Sequence, residues 1–292
     1  MIRCVAAIFG AIALVLAGCK CGSPGSSGLS SRPWTGPVPT YGELAKAYNA
    51  RVDPLNRLTA AVVLRLDYRD EDGVQHLEQV EGRCEFVRPR QFVLTLRKVS
   101  QDIAILGSDP ERFWWIELGD RKRALVGEHE KTGAERLAVA GVPVHPLDLI
   151  ELMGITPLPL QPSVGQVAAS PEGLVVTLPG RIGSRRMIFH SSDYRPSRIE
   201  LIREDGAVAA AADLSKYAKV AMRGAGPEAI HPWIATDAVI VASGGTTHGH
   251  LELATPEIDP SRPRPGVFDL AKWLKAKGVE EVLQLGEPVR PQ

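Results

Sequence analysis

Residues 82–118 read "GRCEFVRPRQFVLTLRKVSQDIAILGSDPERFWWIEL". Apolar side chains recur at every second position. Val80, Gly82, Cys84 and Phe86 point one way, while Glu81, Arg83 and Glu85 point the other. Pro89 interrupts the run, and Phe92, Leu94 and Leu96 restart it. "DIAILG" and "RFWWIELGD" continue the series, each after a short polar break. Side chains alternate across a strand, so this spacing predicts consecutive half-buried strands rather than a helix. The breaks are too short for crossover helices, which makes the sheet antiparallel.

Working outward, the same period holds on both sides. In "TAAVVLRLDY", Val62, Leu64, Leu66 and Tyr68 share a face. The following "RDEDG" is read as a hairpin turn, since it lacks the ligand spacing of a calcium loop. A weaker strand lies in "RKRALVGEH". Beyond residue 170, strands are expected at Leu174–Leu178, Arg186–His190, Ser197–Arg203 and Val208–Tyr217, then in "DAVIVA" and "THGHLELA". Three helices punctuate them. Thr40 and Glu43 form a capping box ahead of Tyr41, Leu44, Tyr48 and Val52 at helical spacing. "HPLDLIELMG" has Pro146 at its start, Leu149, Ile150 and Met153 as an apolar stripe and Gly154 as a stop. "FDLAKWLKAKG" is amphipathic, with Leu270, Trp273 and Leu274 on one side. There is no βαβ alternation and no internal repeat, so the class is α+β and mainly β.

The chain has 292 residues, with 34 Lys+Arg against 34 Asp+Glu. Zero net charge argues against nucleic acid as a partner. Arg121-Lys122-Arg123 and Arg185-Arg186 are read as solvated strand ends. The amino terminus has Arg3, an apolar run from Val5 to Ala17, then Leu16-Ala17-Gly18-Cys19. That is the layout of a secretory signal, too short for a membrane span. Its end matches the lipobox of bacterial lipoproteins, in which the thiol of Cys19 takes the lipid, palmitate among its acyl groups, and becomes the new terminus. Lys20 follows, rather than an inner-membrane-retaining Asp. The expected organisation is a signal peptide (1–18), a Gly/Ser/Pro-rich tether (19–39), a folded body (40–285) and a tail (286–292). Of four cysteines, Cys4 leaves with the signal and Cys19 is lipidated; a Cys21–Cys84 disulfide stays open, but Cys84 reads as a small buried hydrophobe.

The helix, the strand pair, the quoted run with its proline corner and Trp-bearing strand, and "DYRPSRIELIREDGAVAAAADLSKYAKV" together resemble the LolA/LolB-like superfamily of bacterial lipoprotein carriers and periplasmic lipid-binding proteins. The resemblance covers most of residues 40–253. It implies a strongly curved antiparallel sheet forming an incomplete barrel, with helices over its concave side. It implies a hollow for a lipid or a lipoprotein's acyl chains, and here a lining of Leu64, Leu66, Phe86, Phe92, Leu94, Trp114, Ile150 and Met153. Receptor-like members carry a lipid anchor, as this chain does by its lipobox. Their protruding apolar loop has no match, since Lys98-Val99-Ser100 is polar, and the helix around Trp273 lies beyond the resemblance.

No nucleophile elbow, P-loop, dinucleotide fingerprint or zincin motif occurs, so an enzyme is not expected and no cofactor is implied. In "THGHLE", His248, His250 and Glu252 would share one strand face, which is a metal-ligand pattern. The competing reading is the polar, solvent side of an outer strand. Phe113-Trp114-Trp115 is either core or a lining for the hollow, with only one alternating face inward. The reading that follows is an envelope lipoprotein, lipid-anchored and facing the periplasm or exterior, that holds an apolar ligand by burial and opens by helix movement. A non-catalytic scaffold for another protein is the main alternative, and a hydrolase the weaker one.

Overall fold

The computed structural model describes residues 33–69, 74–119, 121–132, 137, 144–161, 163–190, 193–242, 247–264 and 266–285. The signal segment with Cys19 and Cys21, most of the tether, the "DEDG" turn and the tail lie outside these.

The chain opens with α1 (Tyr41–Val52) and builds a six-strand meander: β1 (Arg57–Arg69), β2 (Gln75–Val87), β3 (Gln91–Lys98), β4 (Gln101–Ser108), β5 (Arg112–Leu118) and β6 (Lys122–Glu128). After α2 (Pro146–Leu152) a second run begins at the far edge: β7 (Gln166–Ser170), β8 (Gly173–Gly180), β9 (Gly183–Phe189), β10 (Pro196–Arg203) and β11 (Val208–Lys219). The short β12 (Ala221–Met222), then β13 (Trp233–Ala242) and β14 (Thr247–Ile258), lead back to the middle; α3 (Leu270–Lys277) and β15 (Glu281–Gln284) close the chain. The order across the sheet is β15-β6-β5-β4-β3-β2-β1-β14-β13-β11-β10-β9-β8-β7. Thus β14 fastens the two meanders together by pairing with β1, Leu64 opposite Leu251. The sheet is curved and unclosed, with β15 and β7 as its edges. Breaks of register near Thr59/Ala61, Leu96/Arg97 and Leu201/Ile202 add local twist to long strands. Among the described residues, no helix is long and apolar enough to cross a membrane.

β7, β12 and β15 had no signal in the sequence. β7 is "QVAAS", with small side chains and no alternation. β15 is exposed along its whole length and pairs with β6 in parallel, so no apolar face marks it. β14 was expected at the outside of the sheet, yet it lies between β1 and β13. Its polar side chains mark a solvent-facing sheet surface, which a central antiparallel strand possesses as readily as an edge strand.

The two faces of the sheet bury different groups. One large core joins α1 and α2 to the concave side, including Leu44, Tyr48, Phe86, Phe92, Phe113 and Trp115. A smaller core lies on the opposite side, where Leu270, Trp273 and Leu274 of α3 pack over Val93, Ile105, Trp114 and Ile116. Gly82 is required where β2 and β3 approach: a Cβ there would come within 1.9 Å of the Thr95 carbonyl oxygen. Cys84 is a free, buried thiol beside this point, and burial, with the charge of Glu85, raises its pKa to about 12.

Candidate functional site: the helix-covered face of the sheet

Two helices close the concave side. The first, α1, begins at Thr40, whose hydroxyl accepts from the Glu43 amide while the Glu43 carboxylate accepts from the Thr40 amide at 2.8 Å. Tyr41, Leu44, Tyr48 and Val52 all face inward and are buried, at the spacing the sequence showed. Hydrogen bonds complete the fastening. Asn49 donates to the Leu158 carbonyl at 2.8 Å and accepts from the Leu158 amide at 2.7 Å. The Tyr41 and Tyr48 hydroxyls donate to Pro159 O and Gly154 O. Arg51 reaches Gly154 O and Trp233 O and stacks on the Tyr48 ring, 4.6 Å from its centroid.

The second, α2, buries Leu149, Ile150, Leu152 and Met153 in the same core. Ionisable groups hold its polar side. Arg181 donates two hydrogen bonds to the Asp148 carboxylate, at 2.8 and 2.5 Å. Arg185 donates to Thr156 Oγ1 at 3.1 Å and lies 3.9 Å from the Glu151 carboxylate. Arg185 is 6 % exposed, so the expectation of a solvated strand end is corrected for this residue. Strand alternation puts it on the inward face, and α2 supplies its countercharge. Burial raises the pKa of Glu151, an effect Arg185 partly offsets.

His145 is the N-cap of α2. Its Nδ1 accepts from the Leu147 amide at 3.1 Å, leaving Nε2 protonated. Nε2 faces Nδ1 of His129 at 3.4 Å, and Nε2 of His129 reaches the Asp109 carbonyl at 2.8 Å. The only consistent arrangement is two neutral rings, each with its proton on Nε2. Burial, with Arg181 as the next cause, lowers the pKa of His145 to about 2; burial also lowers that of His129. Sequence reading missed this pair because His129 and His145 lie in different elements and match no ligand spacing.

Of the residues expected to line a hollow, Phe86, Phe92, Leu94, Ile150 and Met153 come together in the large core. Leu64 packs against its margin, and Leu64 and Leu66 both approach Gly249 on β14. Trp114 does not join them. It lies on the opposite face, fully buried beneath α3 and against Gly107, because Phe113 and Trp115 take the inward positions of β5. In this state the helices fill the concave side, with Leu44, Phe86 and Phe92 at 0 % exposure and Ile150 at 1 %. Two open depressions lie elsewhere on polar surface. One of about 320 Å³ is lined by Arg83, Glu85, Arg262, Arg264 and Val267. One of about 440 Å³ is lined by Arg90, Pro110, Glu111, Arg112, Glu128 and Glu130.

The His248/His250/Glu252 trio does not assemble as expected. His250 and Glu252 meet Asp237 of β13 instead, with ligand atoms within 4.8 Å of one another, and His248 is exposed outside the group. The cluster already carries its cations: Arg65 bonds Glu252 at 2.9 Å and Lys216 bonds Asp237 at 2.7 Å. A metal ion would have to displace both. Ser215, Asp237 and His250 also adjoin, but the Ser215 hydroxyl donates to the carboxylate at 3.0 Å, not to the imidazole. That order leaves the serine without a base, unlike a hydrolase triad. The β3–β4 tip, read as polar, presents Val99 at 95 % exposure.

No family model matches the chain, and no curated protein matches it. Solved structures do. A putative outer membrane lipoprotein-sorting protein domain from Vibrio parahaemolyticus superposes with a TM-score of 0.53 at 10 % identity, covering 78 % of this chain and 95 % of that one. A DUF1329 family protein from Desulfovibrio piger gives 0.50 at 9 % identity, covering 79 % and 96 %. A looser likeness, 0.46 at 8 % identity over 76 % and 94 %, is to a LolA superfamily protein from Nitrosomonas europaea. The chain therefore shares its fold with the first two of these, a large curved and unclosed antiparallel sheet with helices packed over one face.

Proposed function

We propose that this protein is a lipid-anchored lipoprotein of the bacterial envelope that binds an apolar chain, a lipid tail or the acyl group of a lipoprotein, between α2 and the concave face of its sheet. The observation that carries this reading is the continuous apolar body formed by Phe86, Phe92 and Leu94 with Ile150 and Met153 under a short helix held by polar contacts. A ligand takes the place of α2's own apolar stripe. Exposing Leu149, Ile150, Leu152 and Met153 costs about 1.5–3 kcal/mol each, while burying an acyl chain returns about 0.8 kcal/mol per CH₂. A chain of about a dozen carbons balances that cost, so exchange is reversible rather than a trap. The anchor is Cys19, reached by the Gly/Ser-rich tether, and the role is non-catalytic carriage or reception rather than chemistry. Native mass spectrometry and lipid extraction of the protein purified from a bacterial host test the ligand: co-purified acyl lipid is expected, and a lipid-free protein that takes up no fatty acid refutes it. Radiolabelled palmitate incorporation, lost in Cys19→Ala, tests the anchor.

A further inference from the structure

The contacts that hold α2 differ in one respect from those of the other helices among the described residues: its N-terminus is capped by an imidazole whose second nitrogen is spoken for by another imidazole. We propose that the His145–His129 relay is a proton-operated latch, so that acidification unpins α2 and opens the apolar interior while α1 stays in place.

Each atom of the relay requires both rings neutral. A proton on Nδ1 of His145 removes the acceptor for the Leu147 amide. A proton on Nδ1 of His129 sets two N–H groups against each other across the 3.4 Å contact. The surroundings offer an imidazolium little compensation. Arg181, from the β8–β9 turn, and Arg90, from the β2–β3 turn, both disfavour a positive charge on His145. Arg181 is spent on Asp148, and Arg90 on Glu130. Asp109 and Glu130 favour charge on His129, but the Asp109 carboxylate is turned to the amides of Glu111 and Arg112. The Phe113 ring lies 4.4 Å from His145, centroid to centroid, and closes the remaining side.

The sign follows from linkage. Both rings are held neutral when α2 is docked and are free to protonate when it leaves. Docking is therefore strongest above the ordinary histidine pKa of about 6.5 and weakens as pH falls below it. One unit below, an imidazole that stays neutral while α2 is docked shifts the open-to-docked ratio by up to about tenfold, and two such rings by up to about a hundredfold. Glu151 works in the opposite direction, because a carboxyl whose pKa is raised on docking favours the docked state as pH falls. The net opening on acidification therefore belongs to the histidines.

The latch can be read without any ligand. Amide hydrogen exchange of the full chain, corrected for intrinsic rates, is followed from pH 8 to pH 5.5. The amides of residues 149–153 are expected to lose about ten- to a hundredfold protection, while those of α1 keep theirs. In His129→Gln/His145→Asn, where Asn still caps but does not titrate, protection of α2 no longer falls on acidification, and Glu151 alone sets the remaining pH dependence in the opposite direction. Wild-type α2 protection that ignores pH, or an equal pH dependence in the variant, overturns the proposal. Should the variant not fold, nitrogen chemical shifts of the wild-type rings decide: two neutral Nε2–H tautomers at pH 7 are expected, and an imidazolium at either position overturns it. Acid-insensitive exchange combined with co-purified lipid would remove the latch and leave the ligand reading intact.

Discussion

The two helices over the concave face, α1 and α2, do the same geometric job with different materials. α1 is longer, carries a complete capping box, and is fixed by Tyr41, Leu44, Tyr48 and Val52 plus hydrogen bonds from Asn49, two tyrosines and Arg51 to backbone carbonyls, with no carboxylate partner among them. α2 is only two turns long; its cap is a histidine, and its outer side is held by Asp148–Arg181 and Glu151–Arg185. Apolar burial is insensitive to pH and difficult to undo in parts. Buried ion pairs and imidazole caps depend on protonation and on their partners, and their net contribution is small because desolvation offsets the attraction. The proposed function rests on that difference: it takes α1 as part of the frame and α2 as its movable cover.

Substitutions can break that comparison, and their effects should scale accordingly. Leu44→Ala, at a fully buried position of α1, should cost about 2–5 kcal/mol and lower the melting temperature of the whole molecule. If it loosened only a local segment, α1 would not be part of the frame. Arg181→Ala leaves the Asp148 carboxylate largely buried without its partner, which costs up to about 3 kcal/mol. Here the expected damage is local: α2 amides exchange faster and an apolar dye gains access, with little change in the exchange of β1 and β2. A global loss equal to that of Leu44→Ala would erase the distinction. Trp114→Leu removes part of the indole packing under α3 and should cost about 1–3 kcal/mol, yet leave fatty-acid affinity unchanged because the indole is on the far face. Thr40→Ala removes the cap of α1 for about 1 kcal/mol, read as a small shift in the urea midpoint without a change in slope.

Much of this was legible from residues alone, and the reasons are specific. Period-two alternation in β1, β2 and β3 marks the face that the helices cover, so Phe86, Phe92 and Leu94 could be placed together before any coordinates. The capping box of α1 is local chemistry, readable at Thr40 and Glu43. What escaped was everything set by distance in space. Trp114 was assigned to the wrong side because both faces of β5 are apolar, and the partner of its outer face, α3, arrives from the other end of the chain. Asp237 joined His250 and Glu252 in place of His248 because β13 pairs with β14 in a register the sequence does not print. Arg185 looked like a surface cation because its carboxylate partner, Glu151, is far away in the chain. His129 and His145 matched no motif, and only the docking of α2, which sets the His145 ring against Phe113, brings them together.

Photo-labelling with a diazirine fatty acid, followed by peptide mapping, tests the central claim most directly. The account predicts saturable labelling of β2, β3 and α2, at or beside Phe86, Phe92, Leu94, Ile150 and Met153, and none at Trp114 or α3. Labelling confined to α3 and the outer face, or labelling that never saturates, would contradict it.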